Sequence, residues 1–182
     1  MGTGDAQLTA EAVARRSYGK LVAFLATRTR DVAAAEDALS EAFASALADW
    51  PRSGAPANPE GWLITVARRK LIDGARRRRT SQAGAPEVQL IAEELGEMDA
   101  AAPDALPDHR LRLMFACAHP AIAEAARAPL ILQTVLGVSA ETIASAFLTS
   151  PAAMSKRLVR AKEKIREAAI PFEVPERAEM PA

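Results

Sequence analysis

Two stretches of this sequence concentrate cationic side chains. "ARRKLIDGARRRRT", Ala67 to Thr80, holds six arginines and one lysine, and "KRLVRAKEKIR", Lys156 to Arg166, holds six basic residues against Glu163. Guanidinium and ammonium groups at this density are suited to phosphates, and a helix that carries them can lie along a nucleic acid. At about 100° per residue, Met154, Leu158, Ala161 and Ile165 fall on one side of a helix that carries the second stretch, over 154 to 166. Lys156, Arg157, Arg160 and Lys164 fall on the other. The apolar stripe is expected to pack inward and the basic stripe to face out. Ala152, Ala153 and Ser155, small residues at its start, would let the backbone approach base edges and phosphates.

The first stretch divides in the same way. Leu63, Ala67, Leu71 and Ala75 form an inner face, and Trp62, Arg69, Asp73 and Arg76 share the outer side, with Val66 between them. Cations beside an aromatic ring suit unpaired or distorted DNA, the charge holding phosphates and the ring stacking on a base. Trp62 serves equally well as the anchor of a small core. Asp73 is expected to orient Arg69 or Arg76. No catalytic grouping accompanies these cations: there is no glycine-rich phosphate loop, no supported serine–histidine–acid set and no pair of carboxylates on an identified cleft. Cys117 and His119 stand two apart without further ligands nearby, so packing is expected of both. Neither an enzyme nor a cofactor or metal is expected.

The elements that position these residues read as helices throughout. The chain has 182 residues, is 49% hydrophobic but only 4% aromatic, and has no apolar run long enough to span a membrane. One cysteine excludes an internal disulfide framework and fits a reducing cytoplasm. Leu8, Val13, Leu21, Val22 and Leu25 mark a helix over about 8 to 29. Asp31 caps a second that runs to about Trp50, with Val32, Leu39, Phe43 and Leu47 as its stripe and Glu36, Asp37 and Glu41 outside. "PRSGAPANPEG" is a loop, and Asn58-Pro59 opens the helix that carries the arginine block. From Pro86 to Asp108 there are seven acidic residues and no basic one. From about Thr80 to Pro107, where only "VQLIAEEL" could form a short helix, the chain is a linker. "DHRLRLMFACA" restarts a periodic pattern, and the next helix ends near Leu136-Gly137, with Pro129 in its first turn or kinking it. Ser139 then caps a helix of eight to nine residues. After the turn "LTS", Ser150-Pro151 opens a longer one, the layout of a helix-turn-helix.

This order of parts resembles a bacterial extracytoplasmic-function sigma factor of the sigma-70 family. The resemblance rests on "AAAEDALSEAFASAL", "NPEGWLITVARRKLIDGARRRR", the acidic linker and the helix-turn-helix, and covers about residues 10 to 170. "RLRLMFACAHPAI" with "LVRAKEKIREAAIPFEVP" is similar to the subgroup that carries a helical C-terminal extension, whose members often have Cys-Cys-His where Cys117-Ala118-His119 stand here. The sequence stops at Ala182, so either the chain is truncated or the protein dispenses with the extension. The resemblance implies an all-α fold of two small helical domains. A sigma-two-like domain over 1–80 would be joined by an acidic linker over 81–107 to a sigma-four-like helix-turn-helix domain over 108–170, with a tail over 171–182. It implies a cytoplasmic, non-enzymatic factor that binds core RNA polymerase, at its clamp helices and flap, and promoter DNA as duplex and as non-template single strand. Glu36, Asp37, Leu39, Glu41 and Phe43 would dock on polymerase. Asn58, Trp62, Arg68, Arg69, Lys70, Arg76 and Arg77 would serve the minus-ten element, next to a loop from Pro51 to Gly61 that captures a flipped base. Ser150, Ala152, Ser155, Lys156, Arg157 and Arg160 would read the minus-thirty-five element. Glu93, Glu94, Glu97 and Asp99 would lie in the channel for nascent RNA. An anti-sigma factor or the chain's own missing extension would regulate it. Two other readings stay open: a stand-alone helix-turn-helix regulator, and a helical adaptor whose basic helices meet acidic proteins.

Overall fold

The computed structural model of the protein describes residues 3–81 and 106–175, with side chains described from Ala6 to Arg76 and from Leu106 onward. The acidic stretch with "VQLIAEEL" and the carboxylates Glu93, Glu94, Glu97 and Asp99 lies outside the described residues, as does the Arg77 side chain. The described residues form seven helices and no strand. They are α1 (Thr3–Thr29), α2 (Val32–Ser53), α3 (Pro59–Ser81), α4 (Arg110–Ala118), α5 (Glu124–Thr134), α6 (Ala140–Ala146) and α7 (Pro151–Glu167).

α1 is the central helix. Leu21 to Ala26 are six consecutive buried residues, and α2, α3, α4 and α5 all pack against α1. A helix apolar on all sides has to be surrounded in this way. Toward its N-terminus the buried face narrows to Ala6, Ala10 and Val13, at i, i+4 and i+7. Leu8 lies about 200° from Ala6 on the wheel and is exposed, so it does not belong to the expected stripe. In α2 the buried line is Val32, Ala35, Leu39, Ala42, Ala46 and Trp50. Leu47 sits one residue off this line and is half exposed, again unlike the expectation.

Local chemistry sets the helix ends. Asp31 Oδ1 accepts from the Ala34 N–H at 3.0 Å, and Asn58 Oδ1 accepts from the Gly61 N–H at 2.9 Å, each satisfying a donor that the helix leaves unpaired. α2 stops at Gly54, whose φ of 83° lets its N–H return to the Trp50 carbonyl at 2.9 Å. Gly137, at φ 69°, turns the chain after α5. Pro129 lies inside α5, past its first turn, and is buried.

The buried apolar residues of both described stretches join in one cluster. Leu106 is buried where the second stretch begins, and Phe172, in the expected tail, is buried at its other end. Gly19 shows how close the approach is: a Cβ there would stand 1.8 Å from the Val135 carbonyl oxygen. A glycine within a long helix costs about 1 kcal/mol relative to alanine, and this contact is its structural reason. Beside it, the Phe24 ring stacks on His109 at 6.1 Å and carries the Arg28 guanidinium 3.8 Å from its centroid.

Candidate nucleic-acid interface

α6 and α7 form a tight pair. Ser139 Oγ accepts from the Thr142 N–H and Ser150 Oγ from the Ala153 N–H, both at 3.2 Å, so each helix begins on a serine cap as expected. α6 has seven residues, shorter than anticipated. Its continuation is diverted at Leu148, which adopts φ 50° and is 96% exposed, while the Thr149 N–H closes the turn on the Ala144 carbonyl at 2.9 Å. Met154, Leu158, Ala161 and Ile165 are all buried, which fixes the rotation of α7 about its axis.

That rotation turns Lys156, Arg157, Arg160 and Lys164 together into an open cleft of about 510 Å³. Its other wall is Ala121, Ile122, Ala123 and Ala126, from the α4–α5 loop and the start of α5. Arg127 holds the loop in place, donating from Nε to the Ile122 carbonyl at 2.9 Å and from Nη2 to the Pro120 carbonyl at 3.2 Å. Four cations over an apolar floor make a surface for a phosphate chain, not for a small neutral ligand. Ala152 and Ser155 are exposed at the leading end of α7, where a base edge can be approached.

The α2–α3 surface is built differently. Leu63, Ala67, Leu71 and Ala75 are buried as the helical spacing predicts. Trp62 meets Trp50 edge to face at 5.4 Å, which leaves its ring partly exposed and ties α3 to α2. Asn58 is exposed and uses its side chain as the cap of α3. Arg69 and Arg76 are exposed. Lys70 Nζ pairs across to Glu41 Oε2 at 3.1 Å, so an expected DNA contact and an expected polymerase contact face each other. Arg68 is a correction. It is 6% exposed, because at i+4 from Ile64 it shares the side of α3 that turns inward.

Among the residues expected to meet polymerase, Asp37 and Glu41 are exposed and Phe43 is half-buried. Leu39 is fully buried between helices and presents nothing to a partner. Glu36 is 8% exposed, contrary to its expected place on the outside. α7 covers it: Lys162 Nζ pairs with Glu36 Oε2, and one turn further Arg166 Nη1 reaches Asp31 Oδ2 at 3.6 Å. Burial pushes the Glu36 carboxyl above its ordinary range, even against the pull of Lys162. The Tyr18 phenol lies beside it and is raised by its own burial and then by the Glu36 charge. Lys162 and Arg166 were thus counted within a single basic run, but they belong to a second face of α7. Their signal is the line Leu158, Lys162, Arg166 at i, i+4, i+8, adjoining the apolar stripe.

Cys117 is buried, its Sγ 3.6 Å from Thr134 Oγ1, and burial pushes its thiol up to about 12. Such a thiol stays protonated and unreactive at neutral pH.

Residues 13–81 match the family model of sigma-70 region 2, a span that runs from within α1 to the end of α3. The matched residues take in most of α1 and all of α2 and α3, so this part of the chain is similar to sigma-70 region 2. Over 152 residues, 81% of its length, the chain is 41% identical to an uncharacterized protein of Rhizobium meliloti (strain 1021). The chain spans only 36% of that relative's length. No solved structure matches it. Among the described residues no helix is long and apolar enough to cross a membrane.

Proposed function

We propose that this chain is a sigma factor of the extracytoplasmic-function type, which carries core RNA polymerase to promoters and promotes strand opening there. The observation that carries this is the coincidence of two features on one chain: a sigma-70 region 2 over 13–81 and, beyond it, a serine-capped helix pair whose second helix presents four cations to an open cleft. In this account Asp37, Glu41 and Phe43 meet the clamp helices of polymerase. The loop before Asn58 takes an unpaired base of the minus-ten element, while Trp62, Arg69, Lys70 and Arg76 hold the strand beside it. α7 lies in the major groove of the minus-thirty-five element, with Ser150, Ala152 and Ser155 close to base edges and Lys156, Arg157 and Arg160 on phosphates.

The mechanism forms and breaks no covalent bond. Opening a promoter costs a few kcal/mol for each base taken out of the stack, and contacts to the freed base and its phosphates offset that cost. Two weak DNA contacts held on one polymerase gain from effective concentration, so neither has to bind tightly by itself. An anti-sigma protein, or a segment beyond this chain, would be the natural regulator.

The phosphate role has a direct test. Replacing Lys156, Arg157 or Arg160 by alanine should weaken holoenzyme binding to all promoters alike and lower the log–log salt slope by about 1 for each cation removed. Binding to core polymerase should be unaffected. An unchanged salt slope would remove α7 from the DNA surface. Strong duplex binding by the isolated chain, with a twofold footprint, would instead identify a stand-alone regulator.

A further inference from the structure

The two faces of α7 have different fates in this arrangement. Lys156, Arg157, Arg160 and Lys164 line the open cleft, whereas Lys162 and Arg166 are turned onto the start of α2. The Glu36 and Lys162 side chains are only 11% and 12% exposed, and Asp31, at 19%, is largely covered as well. The same contact continues through Gly19 against Val135 and through Tyr18 against Gly137. It closes over the beginning of the helix whose exposed acids, Asp37 and Glu41, come next in sequence.

We propose that the chain masks the start of its own polymerase-docking helix, with α7 acting as an internal competitor that pairs Lys162 and Arg166 with Glu36 and Asp31. This inference rests on the sigma-factor assignment above. The polar part of this contact has the character of a catch. A buried ion pair pays a desolvation cost close to its Coulomb gain. The second pair, with Arg166 57% exposed, adds little. A polymerase surface that offers cations to Asp31 and Glu36 can therefore replace the ion pairs of α7 at small net electrostatic cost. Release then frees the helix-turn-helix to move away from region 2 and reach its own DNA element. The open basic cleft is not masked, so the catch acts on polymerase binding and not on the DNA-facing side of α7.

The arithmetic of a masked site is simple: apparent affinity falls by the fraction of molecules that are open. If about one molecule in ten is open, opening all of them strengthens polymerase binding by about tenfold. Two variants open the contact by unrelated means. Lys162→Glu with Arg166→Glu replaces attraction by repulsion. Gly19→Ala places a methyl group where the Val135 carbonyl lies, while favouring the α1 helix itself. Each full-length variant would be measured beside the parent chain for helical content by circular dichroism, for radius of gyration by X-ray scattering and for affinity to core polymerase by fluorescence titration. The expected result is unchanged helicity, a larger radius of gyration and several-fold tighter polymerase binding for both variants. If the charge-reversed variant loses helicity, Gly19→Ala alone decides. An unchanged radius, or a larger one without a gain in affinity, overturns the mask while polymerase binding by the parent chain keeps the sigma-factor assignment. Polymerase that binds neither parent nor variants overturns both.

Discussion

Glu60 shows how a single side chain joins helix chemistry to tertiary packing. It occupies the first turn of α3, where a negative charge suits the helix dipole. Its Oε1 accepts from the Ser17 hydroxyl and its Oε2 from Lys20 Nζ at 2.9 Å. Burial alone would raise its carboxyl, but the hydrogen bonds from Ser17 and Lys20 outweigh burial and hold it below the ordinary range. A carboxyl depressed in the folded state stabilises the fold above its unfolded value, about 4.3, and that contribution is lost as the pH falls through the folded value. Glu60→Gln should therefore cost about 1 kcal/mol at neutral pH, with the difference shrinking as the pH falls through the folded value. Urea unfolding at a series of pH values checks this. Cap residues such as Asp31, Asn58, Ser139 and Ser150 were legible in the sequence, because a cap is a local contact within three residues. Glu36 and Arg68 were not. Whether a charged residue is buried depends on which element lies over it, and helical spacing on α2 or α3 alone carries no trace of α7 or of the neighbouring helix.

At the scale of elements, α7 was the most legible part of the molecule. Its apolar positions, its cap and its leading proline agree with one another, and all four expected stripe residues are buried. The stripe fixes where the cations point, so the basic face followed from the same count. α1 was less legible, because a central helix is apolar on several sides and no single stripe describes it; Leu8 was misplaced for that reason. The turn between α6 and α7 had no glycine to announce it, since Leu148 itself takes the left-handed conformation. Ser150→Ala removes the acceptor for the Ala153 N–H and should destabilise the protein by about 1 kcal/mol. Because α7 would fray at the end proposed to face DNA, promoter affinity should fall with it. Thermal unfolding and holoenzyme–promoter titration on the same variant would show whether the two losses go together. A stability loss without an affinity loss would detach the start of α7 from DNA recognition.

For the molecule as a whole, the neutral total conceals a division of labour. The chain carries 23 basic and 23 acidic side chains, yet the cations gather on α3 and on one face of α7. A chain without net charge gains little from non-specific attraction to DNA, which suits the proposed role of a subunit that engages promoters only as part of polymerase. The presence of a region 2 was readable from the motifs that run from α2 into α3, and the family match over residues 13–81 agrees with it. How the later helices pack against α1 and α2 was not readable, because it rests on contacts such as Gly19 with Val135 and Glu36 with Lys162, separated by more than a hundred residues. The account stands or falls on promoter-directed initiation. Run-off transcription with core RNA polymerase on a library of promoter fragments, with and without this protein, measures it most directly. Discrete transcripts that appear only with the protein, from fragments sharing paired minus-ten and minus-thirty-five elements, are the predicted result. The absence of any protein-dependent, promoter-specific transcript would contradict it.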